Sequence, residues 1–261
     1  MPLSDTQSER DPRNVAITRV GVSGLRYPVS IDRPGGGQFH SVAEATLTAS
    51  LPPEQRGTHM SRFVEELHFG HRSLGPGAVV DLAKKLRSRL KAAEASVEIR
   101  LPWFVEKQAP VTGGSGLVDY DVTWRASVSA RASRLQTPVR VPVGTLCPCS
   151  KAISDRGAHN QRGYAMVTVE TAKPLWPDAI ISLVEGAASC ELYSVLKRPD
   201  EKYVTERAYD RPVFVEDLVR DIVVALRKVK GLRGHRIEAE NLESIHSHNA
   251  CALIDALTPL Y

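Results

Sequence analysis

Between Gly116 and Arg131 apolar and polar residues alternate without a break. Val118, Tyr120, Val122, Trp124, Ala126 and Val128 take one side, and Asp119, Asp121, Thr123, Arg125 and Ser127 take the other. A β-strand puts successive side chains on opposite faces, so this is a long strand with one dry and one wet face, as in an antiparallel sheet. The segment Ala78–Ala95 changes period: Val79, Leu82, Leu86, Leu90 and Ala93 share a helical stripe, with Lys84, Lys85, Arg87 and Arg89 largely outside it. That basic face reads as solvated surface rather than as a binding patch.

The same reading places strands near 15–25 and 40–51, helices near 58–69 and 77–95, and strands near 97–105 and 117–131. The second half repeats the order, with strands near 137–146 and 163–171, helices near 178–197 and 214–230, and strands near 236–241 and 244–256. The expected class is therefore α+β: two tandem ββααββ units with antiparallel sheets and helices on one face. A loose polar tail covers 1–14, the first unit 15–135 and the second 136–261, with the joint near Ala132–Gln136. The loop Arg33-Pro-Gly-Gly-Gly37 lacks the Lys-Ser/Thr of a phosphate-binding loop and leads into a strand, so it reads as a hairpin connection.

Bulk properties narrow the function classes. The net charge of +4 is too mild to indicate nucleic acid, but it suits an anionic small molecule such as a nucleotide phosphate. No apolar run reaches the roughly 18 residues of a membrane span, and Met1–Asn14 has the composition of neither a signal nor a transit peptide. Four cysteines in 261 residues do not make a disulfide framework, and a reducing cytoplasm fits best.

Chemistry-bearing residues gather in two places. Val143 to Arg162 holds Cys147, Cys149, Ser150, Lys151 and His159, and thiolate and imidazole are ligands that zinc and other borderline metals prefer. The Cys-Pro-Cys spacing is not the Cys-x-x-Cys of a structural zinc knuckle. In extended backbone both sulfurs would face one side, and the bland alternative is that one or both are small buried residues. His159 lies in a polar loop after a possible thiolate and is a metal candidate. Near the C-terminus Glu243, His246 and His248 follow one another; on one strand face the two imidazoles are either a metal pair, a proton-transfer pair or a polar surface. Cys190, in a helical run, and Cys251, in a terminal strand, read as core. Glu216, at the start of a helix, has the placement of an ordinary first-turn acid.

Four runs carry a family resemblance: Gly57-Thr-His-Met-Ser-Arg-Phe63, Leu146-Cys-Pro-Cys-Ser-Lys-Ala-Ile-Ser-Asp-Arg-Gly-Ala-His-Asn-Gln-Arg162, Phe214-Val-Glu-Asp217 and Glu240-Asn-Leu-Glu-Ser-Ile-His-Ser-His-Asn-Ala250. In that order they closely resemble the type IB GTP cyclohydrolases. The resemblance implies the tunnelling fold, a homotetramer, and conversion of GTP and water to 7,8-dihydroneopterin triphosphate and formate, the first step of folate and pterin synthesis. It implies a divalent metal (zinc, manganese or iron) held by Cys147, His159 and Glu201, with Glu243, His246 and His248 completing the pocket as ligands or proton carriers. Glu201 stands in Arg198-Pro-Asp-Glu-Lys202, which by composition alone reads as a surface loop. The resemblance also assigns Glu216 to the N–H edge of guanine, with Lys151, Arg162 and Arg62 as candidates for the triphosphate. Two other readings remain: a nitrile reductase of the same fold using a nucleophilic Cys and NADPH, and a non-catalytic metal- or pterin-binding assembly protein.

Overall fold

Long alternating strands and amphipathic helices dictate the layout of a computed structural model that describes residues 5–33, 36–258 and 260. Eight strands follow one another in chain order along an antiparallel sheet: β1 (Ile17–Asp32), β2 (Gln38–Leu51), β3 (Glu94–Gln108), β4 (Ser115–Ser129), β5 (Ser133–Leu146), β6 (Asn160–Thr171), β7 (Leu232–Asn241) and β8 (Ala250–Ala256). Among the described residues six α-helices accompany them: α1 (Ser61–Gly70), α2 (Pro76–Leu90), α3 (Pro148–Ile153), α4 (Pro177–Ala187), α5 (Arg198–Asp210) and α6 (Val215–Leu226). This is the α+β class expected.

Two compact units divide the chain. The first comprises Met1–Leu101, Thr123–Gln136 and Pro259–Tyr261, the second Pro102–Val122 and Thr137–Thr258, so β3 and β4 each contribute to both. In the first unit β1 and β2 pair antiparallel from Ile17↔Leu51 to Asp32↔Gln38, and β2 continues onto β3 through Glu44↔Arg100 to Ala49↔Ala95. A bulge interrupts β1 between Val22 and Leu25, where Gly24 takes φ 66°, a left-handed conformation that glycine adopts without a Cβ penalty. Ala43, Ala45, Leu47 and Ala49 of β2 are buried while Val42 and Glu44 are exposed, as a strand with one covered face requires. Phe63 and Leu67 of α1 and Val79, Leu82, Ala83 and Leu86 of α2 are buried too. In the tail, Asp11 N–H donates to the Glu54 carbonyl (2.9 Å) and Gly57 N–H to that of Gln7 (3.0 Å), while residues 1–4 lie outside the described residues. Of the 33–37 loop, Pro34 and Gly35 also lie outside them; Arg33 N–H meets the Gly37 carbonyl at 3.1 Å.

In the second unit β6 pairs with β7 from Gly163↔Asn241, and β7 with β8 from His235↔Ala256 to Asn241↔Ala250. Helix α6 presents Leu218, Ile222 and Leu226, each fully buried, against β7 and β8, and α4 packs on α6. Burying such side chains stabilises by about 1.5–3 kcal/mol each, which makes this face the organising core of the unit.

Several sequence expectations are corrected. The helix read over 178–197 ends at Ala187, and residues beyond it turn back to β5, where Gly144 and Cys190 exchange backbone hydrogen bonds (3.0 and 3.2 Å). Cys190 is buried, as expected, though not in a helix. Arg198–Lys202 is the first turn of α5 rather than a loop, with a proline at its opening and Asp200 and Glu201 in the first turn. The strand read over 244–256 begins only at Ala250, because pairing with β7 closes at Asn241↔Ala250 and leaves 242–249 as a connecting loop. Cys251 on that strand is exposed, not core.

Candidate active site

Strand β5 delivers Cys147 to the surface at the moment its pairing ends. Cys147 has extended backbone (φ −70°, ψ 117°), and Pro148 then fixes the φ that starts α3. Because the chain turns helical here, Cys147 and Cys149 do not share the strand face expected of them: Cys149 is exposed, whereas Cys147 is half-buried and caps the helix, its Sγ accepting from Ser150 N–H at 3.4 Å. The only four cysteines are all free.

The same turn brings Cys147 beside His159. Cys147 N–H donates to the His159 carbonyl at 3.1 Å. The Ser150 hydroxyl ties the two segments further, donating to the Cys147 carbonyl (3.1 Å) and accepting from His159 N–H (3.2 Å). The imidazole is oriented from one side. Its Nδ1 lies 3.0 Å from Gln161 Oε1 and 3.3 Å from Ser244 Oγ. Gln161 commits its amide nitrogen to Thr145 Oγ1 at 3.0 Å, so its carbonyl oxygen is the atom that faces the ring. Contacts at Nδ1 leave Nε2 facing away from Gln161, and carbonyl partners at one ring nitrogen are what commonly orient metal-ligating histidines.

Ser244 also brings the C-terminal cluster to this segment, as does Leu242 N–H, which donates to the Arg162 carbonyl at 2.9 Å. His246 and His248 lie exposed in the 242–249 loop, and their rings stack at 5.1 Å with 21° between planes. They are paired, though not by strand geometry. Glu243 is half-buried in the same loop.

The remaining residues singled out from sequence are spread over other elements. Glu201 is exposed in the first turn of α5, 3.7 Å from Arg198. Glu216 is exposed in the first turn of α6. Lys151 donates to the Tyr209 carbonyl and lies 4.3 Å over that ring. Arg162 lines a cavity of about 290 Å³ with Asp119, Asp121, Arg140 and Tyr164, in which the Arg140 guanidinium lies 3.5 Å over the Tyr164 ring. Arg62, on α1, belongs to the first unit. Among the described residues no three His, Cys, Asp or Glu side chains form a ready metal-binding group. Cys147 and His159 are the pair this chain brings together, and their donors, a thiol and an oriented imidazole, suit a borderline divalent metal.

Sequence reading missed Gln161 and Ser244 as partners of His159. Gln161 was signalled only by its i+2 position, His159 lying just before β6, and nothing local marked Ser244. A buried charged network was missed as well. Lys107 donates to Glu185 (2.8 Å) and to the Leu192 carbonyl (2.9 Å), and the Tyr120 hydroxyl donates to Glu185 at 2.7 Å. Burial, aided by the Glu185 charge, pushes the Tyr120 hydroxyl well above its ordinary range, so Tyr120 stays a donor at any working pH.

Comparison with known proteins gives the class first. The fold is the tunnelling fold, shared with the uricase of Arthrobacter globiformis at a TM-score of 0.51, 9% identity and 92% coverage of both chains. A hyper-thermostable mutant of an AgUricase scores 0.52 at 7% identity, again over 92% of each chain. Within that fold, the chain belongs to the family described as type I GTP cyclohydrolase folE2, whose model matches residues 3–252. It is 49% identical over 256 residues to GTP cyclohydrolase FolE2 of Akkermansia muciniphila, covering 97% of each chain. It is 45% identical to that of Nitrosococcus oceani (97% of this chain, 95% of the relative) and 44% to that of Thermosipho africanus (98% and 99%).

Proposed function

We propose that this protein is a metal-dependent GTP cyclohydrolase of the type IB form, converting GTP and water to 7,8-dihydroneopterin triphosphate and formate at the head of folate synthesis. The observation that carries the reading is the Cys147–His159 pair, locked by backbone and Ser150 hydrogen bonds inside a chain that aligns with FolE2 relatives over nearly its whole length.

Cys147, His159 and Glu201 would hold the metal, and zinc, manganese or iron all suit a mixed sulfur, nitrogen and oxygen donor set. When bound, such a metal supplies Lewis acidity that lowers the pKa of water toward about 7, giving a nucleophile for C8 of guanine at neutral pH. Gln161 and Ser244 keep the His159 ring turned so that Nε2 is the free nitrogen. Ring opening needs a proton at N7 and later proton movement in the ribose rearrangement, tasks suited to His246 and His248 with Glu243 beside them. Glu216 accepts from the N–H edge of guanine, a charge-assisted pairing that selects the base. Arg162, Arg62 and Lys151 offer charge to the triphosphate. Glu216, His246 and His248 are exposed in a single chain, which fits a homotetramer in which neighbouring subunits complete each pocket. The tandem units at 15–135 and 136–261 and a cytoplasmic location belong to the same reading; among the described residues no helix is long and apolar enough to cross a membrane.

The test is direct. Metal-reconstituted protein incubated with GTP should release formate and yield neopterin fluorescence after oxidation and dephosphorylation. NADPH consumption with a nitrile substrate, or binding without turnover, would replace this reading with another.

A further inference from the structure

Asp200 is fully buried, next to a glutamate that is exposed. Its carboxylate collects four donors. Val111 N–H and Thr112 N–H both reach Oδ1 at 2.9 Å, while the Thr112 hydroxyl (2.6 Å) and Lys197 N–H (2.9 Å) reach Oδ2. Burial pushes its pKa up, but the hydrogen bonds from Thr112, Lys197 and Val111 outweigh that and hold the carboxyl well below the usual carboxylate range.

Capping explains only part of this arrangement. An acid at the third helical position commonly reaches back to the N–H before the helix, as Asp200 does to Lys197. The other three donors come from 88 and 89 residues earlier, on the turn between β3 and β4. That turn is itself closed by Ala109 N–H to the Gly114 carbonyl (2.8 Å) and Gly113 N–H to the Ala109 carbonyl (3.0 Å). Asp200 therefore bolts the first turn of α5 to a rigid turn of the sheet. Glu201 has little restraint of its own: among the described residues its carboxylate meets Arg198, at 3.7 Å, and that arginine is almost fully exposed. The direction in which Glu201 leaves the helix is set by the backbone that Asp200 fixes.

We propose that Asp200 is a positioning residue for the metal centre, anchoring the start of α5 so that Glu201 presents its carboxylate in one orientation. This rests on Glu201 being a metal ligand, as proposed above. Loss of an outer partner of a ligand typically weakens metal affinity about 10–100-fold.

The experiment is a zinc titration, by competition with a chromophoric chelator, of the full-length assembled protein. It compares the parent with Asp200→Asn, Glu201→Ala, the double variant and Thr112→Val, with circular dichroism as a check of folding. Asp200→Asn should weaken zinc about 10–100-fold, and Glu201→Ala, which removes the ligand itself, at least as much. The double variant should bind no more weakly than Glu201→Ala alone, because Asp200 acts through Glu201 and the effects do not add. Parent-like affinity in Asp200→Asn beside a weakened Glu201→Ala overturns the proposal and leaves the ligand reading standing. Additive losses overturn it too, since Asp200 would then act on the fold at large. Parent-like affinity in Glu201→Ala removes the ligand reading and the proposal together. Should Asp200→Asn fail to fold, Thr112→Val decides: it keeps the carboxylate and three of its donors, a several-fold loss of zinc affinity is expected, and no loss in a folded variant overturns the proposal.

Discussion

Cys147 and His159, twelve positions apart, are joined directly by a backbone hydrogen bond of 3.1 Å from the cysteine N–H to the histidine carbonyl. The link holds the backbones of the cysteine and the histidine together without asking either side chain to fix the approach. Helix α3 and the loop after it are folded around that one bond, and the Ser150 hydroxyl secures it from both ends.

Cys147→Ala should abolish turnover and weaken metal binding, because it removes the half-buried thiol beside His159 while leaving the backbone link intact. Cys149→Ala should be much milder, since Cys149 is exposed and turned away by the helix. Formate release and bound metal, measured on both variants, check this. Equal inactivity with metal lost in both would mean that two thiolates bind.

Chelation should remove activity without unfolding the protein. Each unit has its own buried core, so the metal is not the structural keystone it is in a zinc finger. Far-ultraviolet circular dichroism should be unchanged while GTP turnover disappears, and manganese or iron should restore activity at least as well as zinc.

Glu216→Gln separates a guanine anchor from an ordinary first-turn acid. In the second case the cost is about 0.3–1 kcal/mol of stability, with catalysis nearly intact. In the first, the amide turns a donor toward the donors of guanine, and a lost carboxylate pairing in a closed site costs about 2–5 kcal/mol of binding, or about 30-fold to several thousand-fold. A folded, metal-loaded variant with poor GTP affinity by calorimetry is expected, and undiminished affinity would exclude Glu216 from the pocket.

Acid stability should reveal Asp200. Its folded pKa is depressed, so its contribution is present above the ordinary carboxylate value of about 3.9 and is lost as pH falls below that toward the folded value. Thermal melts taken downward from pH 5 should therefore fall more steeply for the parent than for Asp200→Asn. Asp11, held down at about 2 chiefly by Arg13, titrates in both proteins and cancels from the difference. Identical slopes would show that the Asp200 carboxylate is not selectively stabilised.

Gly144→Ala tests the close approach of β5 to the segment after α4. A Cβ there would lie 2.7 Å from Cys190 Sγ, so the variant should lose about 1–3 kcal/mol, the usual cost of overpacking. Adding Cys190→Ala removes the clashing sulfur and should recover most of the loss in a denaturant melt. No recovery would place the strain elsewhere.

Much of the fold was legible because its signal is local. The alternation around Tyr120 marks β4, and the stripe from Val79 to Leu86 marks α2. Helix α5 escaped because only Asp200 and Ala208 of its thirteen residues are buried, which leaves no apolar stripe to read. The helix read through 197 failed for the opposite reason. Ala187, Ala188 and Leu192 keep a helical spacing, but the exchange of hydrogen bonds between Gly144 and Cys190 wins over propensity. Within the site, Cys147 and His159 were legible as neighbours in sequence. Ser244 was not, because it reaches the imidazole from 85 residues away.

A sheet whose strands lie in the order in which they are spelled has a bearing on how the chain is made. As it leaves the ribosome, β1 already has its partner in β2, and β7 needs only β8 to close its outer side. Each new strand meets a finished edge, and the edge it creates stays exposed only until the next arrives. The long waits fall at two places, between β2 and β3 and between β6 and β7, where two or more helices are spelled in between; the single short α3 between β5 and β6 makes a briefer one. Those intervals leave β2 and β6 with unpaired backbone groups during synthesis, and there a stalled chain would be most open to pairing with a stranger.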